Sequence, residues 1–182
     1  MSEHSVSSLF LTHTREYLGS TYPDRLAQAL GALPAGDLWW SPHPGALTVG
    51  TILLHLEGNV RQWILAGLRG EPDNRQRSLE FTAPSEETPR DEREGERAAL
   101  LDRLQATTQS AVEVIENLDG QSLETELVVQ GFEVTRLEVL YHVVEHFSWH
   151  VGQAIWIAKA RGGPDHGVAL YDEDQVNRGR NG

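Results

Sequence analysis

The chain has 182 residues, of which 39% are hydrophobic and 23% charged, enough for one domain with a buried core. Its 27 acidic against 15 basic residues leave a net charge of -12. That balance excludes the basic footprint by which duplex nucleic acid or an anionic membrane surface is bound. No cysteine is present, which removes disulfides, thiolate metal ligands and cysteine nucleophiles together.

Met1 to Ser20 shows no basic region followed by an apolar run, so no signal peptide is expected. Apolar residues at mostly helical spacing run from Ser5 to Leu33. Pro23 lies inside that run and predicts a kink, or two helices meeting near Gly19 to Pro23. Pro34, Pro42 and Pro44 force a connection over Leu33 to Gly45. A second helix is predicted from about Thr48 to Leu68, with Thr48 as its N-cap and Gly70 as its stop. Gly70 to Pro89 reads as a long polar connection, and Arg90 to Leu118 as a third helix whose charged first turns are solvated. Leu123 to Val134 fits a short strand pair or an extended crossover. The last helix, about Thr135 to Ala160, is apolar on nearly every side and is expected to be the most buried element. Its apolar stretch, Leu137 to Ala158, is broken by Glu138, His142, Glu145, His146 and His150, which argues against a membrane span. These elements predict an all-α fold, a four-helix bundle with a long crossover connection. One cytoplasmic domain over residues 1–182 is expected, with its core at about 5–161 and a tail at about 162–182.

Histidine carries the chemistry. Four of the eight, His4, His13, His43 and His166, fall in terminal, exposed-looking or loop settings and are assigned no role. His55 lies in the apolar stretch of the second helix, and His142, His146 and His150 follow one another at four-residue steps on the last. Four residues advance a helix by about 6 Å and turn it by about 40°, so an adjacent pair can aim two imidazoles at one ion. His142 and His150 are about 12 Å apart along the axis, too far to share one. One adjacent pair and a histidine from another helix make a three-nitrogen site, which leaves coordination positions open. Burying imidazoles without partners costs desolvation, which favours a shared metal over isolated core histidines. The pattern His142-Val143-Val144-Glu145-His146 also matches H-x-x-E-H of the inverzincin proteases. Glu145, however, points about 100° away from His146, and that reading is rejected. No nucleophile elbow, phosphate loop or Glu-x-x-His pair occurs. A mononuclear, nitrogen-ligated site suits Zn, Ni or Fe better than Mg or Ca.

Three stretches together resemble the DinB/YfiT-like superfamily of metal-binding four-helix proteins. Leu54-His55-Leu56-Glu57-Gly58-Asn59-Val60-Arg61-Gln62-Trp63 is similar to the H-L-x-G-N-x-x-x-W signature of one subfamily. Asp73 to Phe81 resembles its D-x-R-x-R-x-x-E-F loop, and His146 to Gln153 resembles the superfamily's H-x-x-x-H-x-G-Q. The resemblance implies a homodimer and names the ligands as His55, His146 and His150, leaving His142 outside as a pocket-lining or buried structural residue. It also implies a metal-dependent thiol S-transferase or hydrolase, in which the ion lowers the pKa of a bound thiol or water. A low-molecular-weight thiol would then serve as cofactor, with a small molecule as substrate. Asn59 and Gln153 are candidates for orienting substrate or a ligand, or for a plain bond between helices. Arg75, Arg77 and Glu80 either cap the site mouth or form an exposed charged loop. The alternative is a non-catalytic metal- or ligand-binding bundle, a sensor or stress-associated accessory protein, with Trp39, Trp40, Trp63, Trp149 and Trp156 lining an apolar pocket or packing in the core. No buried carboxylate is evident on the histidine face.

Overall fold

In the computed structural model of the chain, the described residues are 5–82 and 90–171, and the side chains of 90–94 lie outside the description. His4, the end of the polar connection at 83–89 and the polar tail after Tyr171 therefore lie outside the described residues. Among the described residues the chain is mostly helical, with one small antiparallel sheet. The first helical run consists of α1 (Val6–Glu16), a wide π turn (Tyr17–Thr21) and α2 (Tyr22–Ala32). Pro23 has no N–H, and its ring would strike the carbonyl four residues back in α geometry. The π turn makes the room, because Tyr22 N–H bonds to the Tyr17 carbonyl five residues back. The expected kink is thus a widened turn inside one helical run.

The second run begins at Thr48, whose hydroxyl accepts the Thr51 N–H at 3.0 Å. It continues through α3 (Val49–Val60) into a second π turn (Arg61–Ala66) and stops at Gly70, where φ is +83°. A short helix, α4 (Arg77–Glu80), interrupts the polar connection before α5 (Arg90–Glu116). Of the two readings for the following segment, the strand pair is the one observed. β1 (Glu126–Val129) pairs with β2 (Phe132–Thr135), and Val129 faces Phe132 across Gln130-Gly131. Both turn residues have positive φ, +54° and +82°, as a type I′ turn requires.

The last helix, α6 (Arg136–Gly162), opens on a reciprocal cap. Thr135 N–H donates to Glu138 Oε2 at 2.6 Å, and Glu138 N–H donates to Thr135 Oγ1 at 3.2 Å. α6 packs mainly against α2 and α3, and α3 against α5. One continuous core joins Leu26 of α2, Leu53 of α3, Leu104 of α5 and Phe147 of α6. The most buried element is α3, not α6, which corrects the expectation for the last helix. Ten residues of α3 are buried, whereas α6 leaves Tyr141, Trp149 and Trp156 exposed on its outer side. Apolar composition alone could not separate a buried face from an apolar surface face. Among the described residues no helix is long and apolar enough to cross a membrane.

Candidate metal centre

α3 and α6 face one another, and their side chains bring His55, His146 and His150 together. One ring nitrogen from each lies within 4.8 Å of the others. His55 Nε2 and His146 Nε2 are 3.0 Å apart, and the His146 and His150 ring centroids are 4.6 Å apart. The spacing explains the convergence: His146 and His150 are one turn apart on the inner face of α6, opposite His55.

The remaining nitrogens decide whether this cluster suits an ion. His55 Nδ1 donates to Glu80 Oε2 at 2.8 Å, and His150 Nδ1 donates to Gln153 Oε1 at 2.7 Å. The carboxylate and the amide oxygen are acceptors, so Nδ1 carries the proton in both rings, with Arg75 Nη2 also 3.2 Å from His55 Nδ1, and Nε2 is the nitrogen that can accept or ligate. His146 Nδ1 is buried with no hydrogen-bond partner among the described residues. Three neutral imidazoles, two of them oriented from behind, are the donor set of a nitrogen-ligated transition metal. The residues fit the group: His55 and His150, both buried, and the half-buried His146 could hold a metal ion.

A family model described as "Protein of unknown function (DUF1572)" matches residues 5–166. The chain belongs to this family. DUF1572 is a DinB/YfiT-like family. No curated protein and no solved structure matches the chain.

Within this DUF1572 chain, the other expected site residues take distinct places. His142 stays out of the ligand group: its ring packs on Trp63 at 4.1 Å between centroids, and its Nε2 is 3.4 Å from Asn59 Nδ2. Asn59 is buried and meets His142 across the helix pair. Gln153 is exposed and touches His150 through its amide oxygen. Trp149 and Trp156, 65% and 61% exposed, line a groove of about 380 Å³ with Pro42, Ala46, Leu47 and Gln153. The other tryptophans pack elsewhere: Trp63 is buried, Trp39 donates to Glu96 at 3.0 Å, and Trp40 stacks under Arg161.

Of the two settings expected for Glu80, a cap at the site mouth or an exposed charged loop, the structure gives neither in full: Glu80 is the buried carboxylate that the sequence does not place on the histidine face. It is buried and accepts from His55, so the histidine cluster does have a buried acid beside it. Arg75 joins it, donating from Nε to Glu80 Oε1 at 2.6 Å and from Nη2 to Oε2 at 2.9 Å. Only Arg77 of the three loop residues is exposed, with its guanidinium over Phe81. The sequence signal for Glu80 is the Asp73 to Phe81 loop pattern itself, in which Glu80 directly precedes Phe81; the ring of Phe81 lies 5.2 Å from that of His55.

Electrostatics keep the cluster ready for a cation. Burial pushes His146 down to about 3, assisted by His150, His55, His142 and Arg75. Burial also lowers His55 and His150, against the raising effect of Glu80 on the first and Gln153 on the second. His142 falls for the same reason, with Glu145 opposing. Burial alone would raise Glu80, but hydrogen bonds from Arg75 and His55 together hold it below the usual carboxylate range. At neutral pH the three imidazoles are therefore uncharged, so each can offer one ring nitrogen to a metal.

Proposed function

We propose that this protein binds one divalent transition metal, Zn, Ni or Fe, through His55, His146 and His150, and uses it in a thiol S-transferase or hydrolase reaction. The observation that carries the reading is the convergence of three imidazole nitrogens within 4.8 Å, two of them backed by oxygen acceptors. Three protein ligands leave room for an exogenous one, as in working sites. A bound divalent ion supplies Lewis acidity, which lowers the pKa of a thiol or water held beside it. The chain's own part is to hold and orient. Glu80 and Gln153 fix two of the rings, and Phe81 covers His55. The chain has no cysteine, so any thiol comes from a low-molecular-weight cofactor, and the substrate is a small molecule. The same reading takes the four long helical runs as a DinB/YfiT-like four-helix bundle with a long crossover, a cytoplasmic homodimer.

A second reading is a non-catalytic metal- or ligand-binding bundle. The exposed Trp149–Trp156 groove favours it, because an apolar surface cleft suits a ligand more than it suits water.

The test is metal content, by plasma mass spectrometry, of protein purified without a histidine tag. About one transition metal per chain, lost in His146→Ala, is the expected result. No metal in the wild type after reconstitution with Zn, Ni and Fe would sink the three-histidine reading. Metal-dependent turnover of thiols and electrophiles then separates the enzyme from the binding module.

A further inference from the structure

We propose that Glu80, gripped by Arg75 and seated over Gly58, is the positioning residue of the histidine cluster: its contact with His55 Nδ1 fixes the ring and sets the affinity for the ion. This rests on the metal-binding reading above.

The starting point is a buried ion pair with no evident stabilising purpose. The Arg75 side chain is only 5% exposed and that of Glu80 9%. Taking both charges out of water is costly, and such pairs are poor contributors to stability. The geometry of the pair is nonetheless complete. Glu80 Oε2 receives both His55 Nδ1–H and Arg75 Nη2–H, while Oε1 receives Arg75 Nε–H. The guanidinium therefore aims the carboxylate and neutralises it, leaving one lone-pair direction for the imidazole.

The rest of the loop holds Arg75 in turn. Its Nη1 donates to Gln62 Oε1 at 2.9 Å, and its backbone N–H donates to Asp73 Oδ1 at 3.1 Å. Gln62 closes the ring by donating to Asp73 Oδ2 at 2.7 Å, and it also accepts from Gln130 at the hairpin turn. Gln62 belongs to the second π turn, whose widened backbone brings it alongside the loop.

Gly58 is the third part of the device. A Cβ there would overlap Glu80 Oε1 and lie 3.0 Å from Arg75 Nε. Its backbone is helical, so no turn demands glycine; the demand comes from the carboxylate lying flat on α3. Glu57, the preceding residue, supplies the contrast. It is as buried as Glu80, at 5% against 8%, but pairs with the half-exposed Arg61 and Arg103 and touches no histidine.

Outer partners of this kind typically change metal affinity by about tenfold to 100-fold when removed. The experiment titrates the untagged full chain with Co(II), following its d–d absorption, and then competes with Zn against a chelator. Folding is checked by circular dichroism. Glu80→Gln should weaken binding by about tenfold to 100-fold and alter the Co(II) band, because the neutral amide has one acceptor oxygen where Arg75 and His55 share two, and loses the charge that raises the basicity of the ring. Gly58→Ala, which removes no polar group, should weaken binding in the same direction and carries the test if Glu80→Gln does not fold. Glu57→Gln should leave affinity and band unchanged. Wild-type affinity and band in both Glu80→Gln and Gly58→Ala would overturn the positioning role alone. Equal weakening in Glu57→Gln would also overturn it, since any buried carboxylate would then do. A wild type that takes up no Co(II) overturns the metal centre and this inference with it.

Discussion

Acidifying the metal-free chain should destabilise it through His146 before most carboxylates titrate. Burial and neighbouring positive charge hold this imidazole at about 3, against about 6.5 for an unperturbed histidine. Between those values the unfolded chain binds a proton that the folded chain refuses, so stability falls as pH falls. The effect is absent above about pH 7 and complete near pH 3. Each pKa unit is worth about 1.4 kcal/mol, so going from pH 7 to 4.5 should cost about 2–3 kcal/mol through this one residue. The assay is guanidinium unfolding in chelator at a series of pH values, comparing wild type with His146→Leu. The subtraction cancels groups whose titration both chains share. Wild type should lose about 2–3 kcal/mol relative to the variant over that interval, with the loss beginning near pH 6.5. A difference between the two chains that stays constant from pH 7 to 4.5 would refute the reasoning, because His146 would then titrate alike in both states.

Metal loading should act in the opposite direction. At free Zn about 100 times its Kd, mass action adds about 2.7 kcal/mol, or about 5–11 °C in Tm for a chain of this size. Calorimetry with and without chelator checks this, and an unchanged Tm in protein shown to be loaded would count against an ion joining α3 to α6. In the core, Phe147 is fully buried and stacks on Tyr22 at 5.9 Å between centroids. Phe147→Ala should cost about 3–5 kcal/mol in denaturant unfolding; a loss below 1 kcal/mol would mean that the cavity collapses or the ring is not packed there.

Much of the architecture was legible because its signals are local. Thr48, Gly70 and Thr135 mark helix ends through bonds made within four residues, so their chemistry reads directly from the order of side chains. The alignment of His146 with His150 is likewise a property of one helix. What stayed hidden depends on distant partners or on backbone phase. The bond from Glu80 to His55 spans 25 residues, so the loop motif singled out Glu80 without telling a partner of the histidine cluster from an exposed charge. The π turns shift the hydrogen-bond phase without a distinctive residue pattern, although Pro23 marked the place of the first. The outer face of α6 misled because Trp149 and Trp156 are apolar yet exposed: periodicity finds a stripe, but which neighbour covers it is a tertiary fact.

The separation of the ligands along the chain bears on when the site can exist. His55 meets His146 across 91 residues, so during synthesis the first of the proposed ligands waits until α6 has been made. The His146–His150 pair needs only the last helix and can chelate weakly before tertiary docking. The third nitrogen therefore distinguishes the docked chain from an isolated helix. On the proposed metal-binding reading, ion capture at full strength would mark the moment at which α6 closes onto α3, and a trapped ion would resist the reversal of that step.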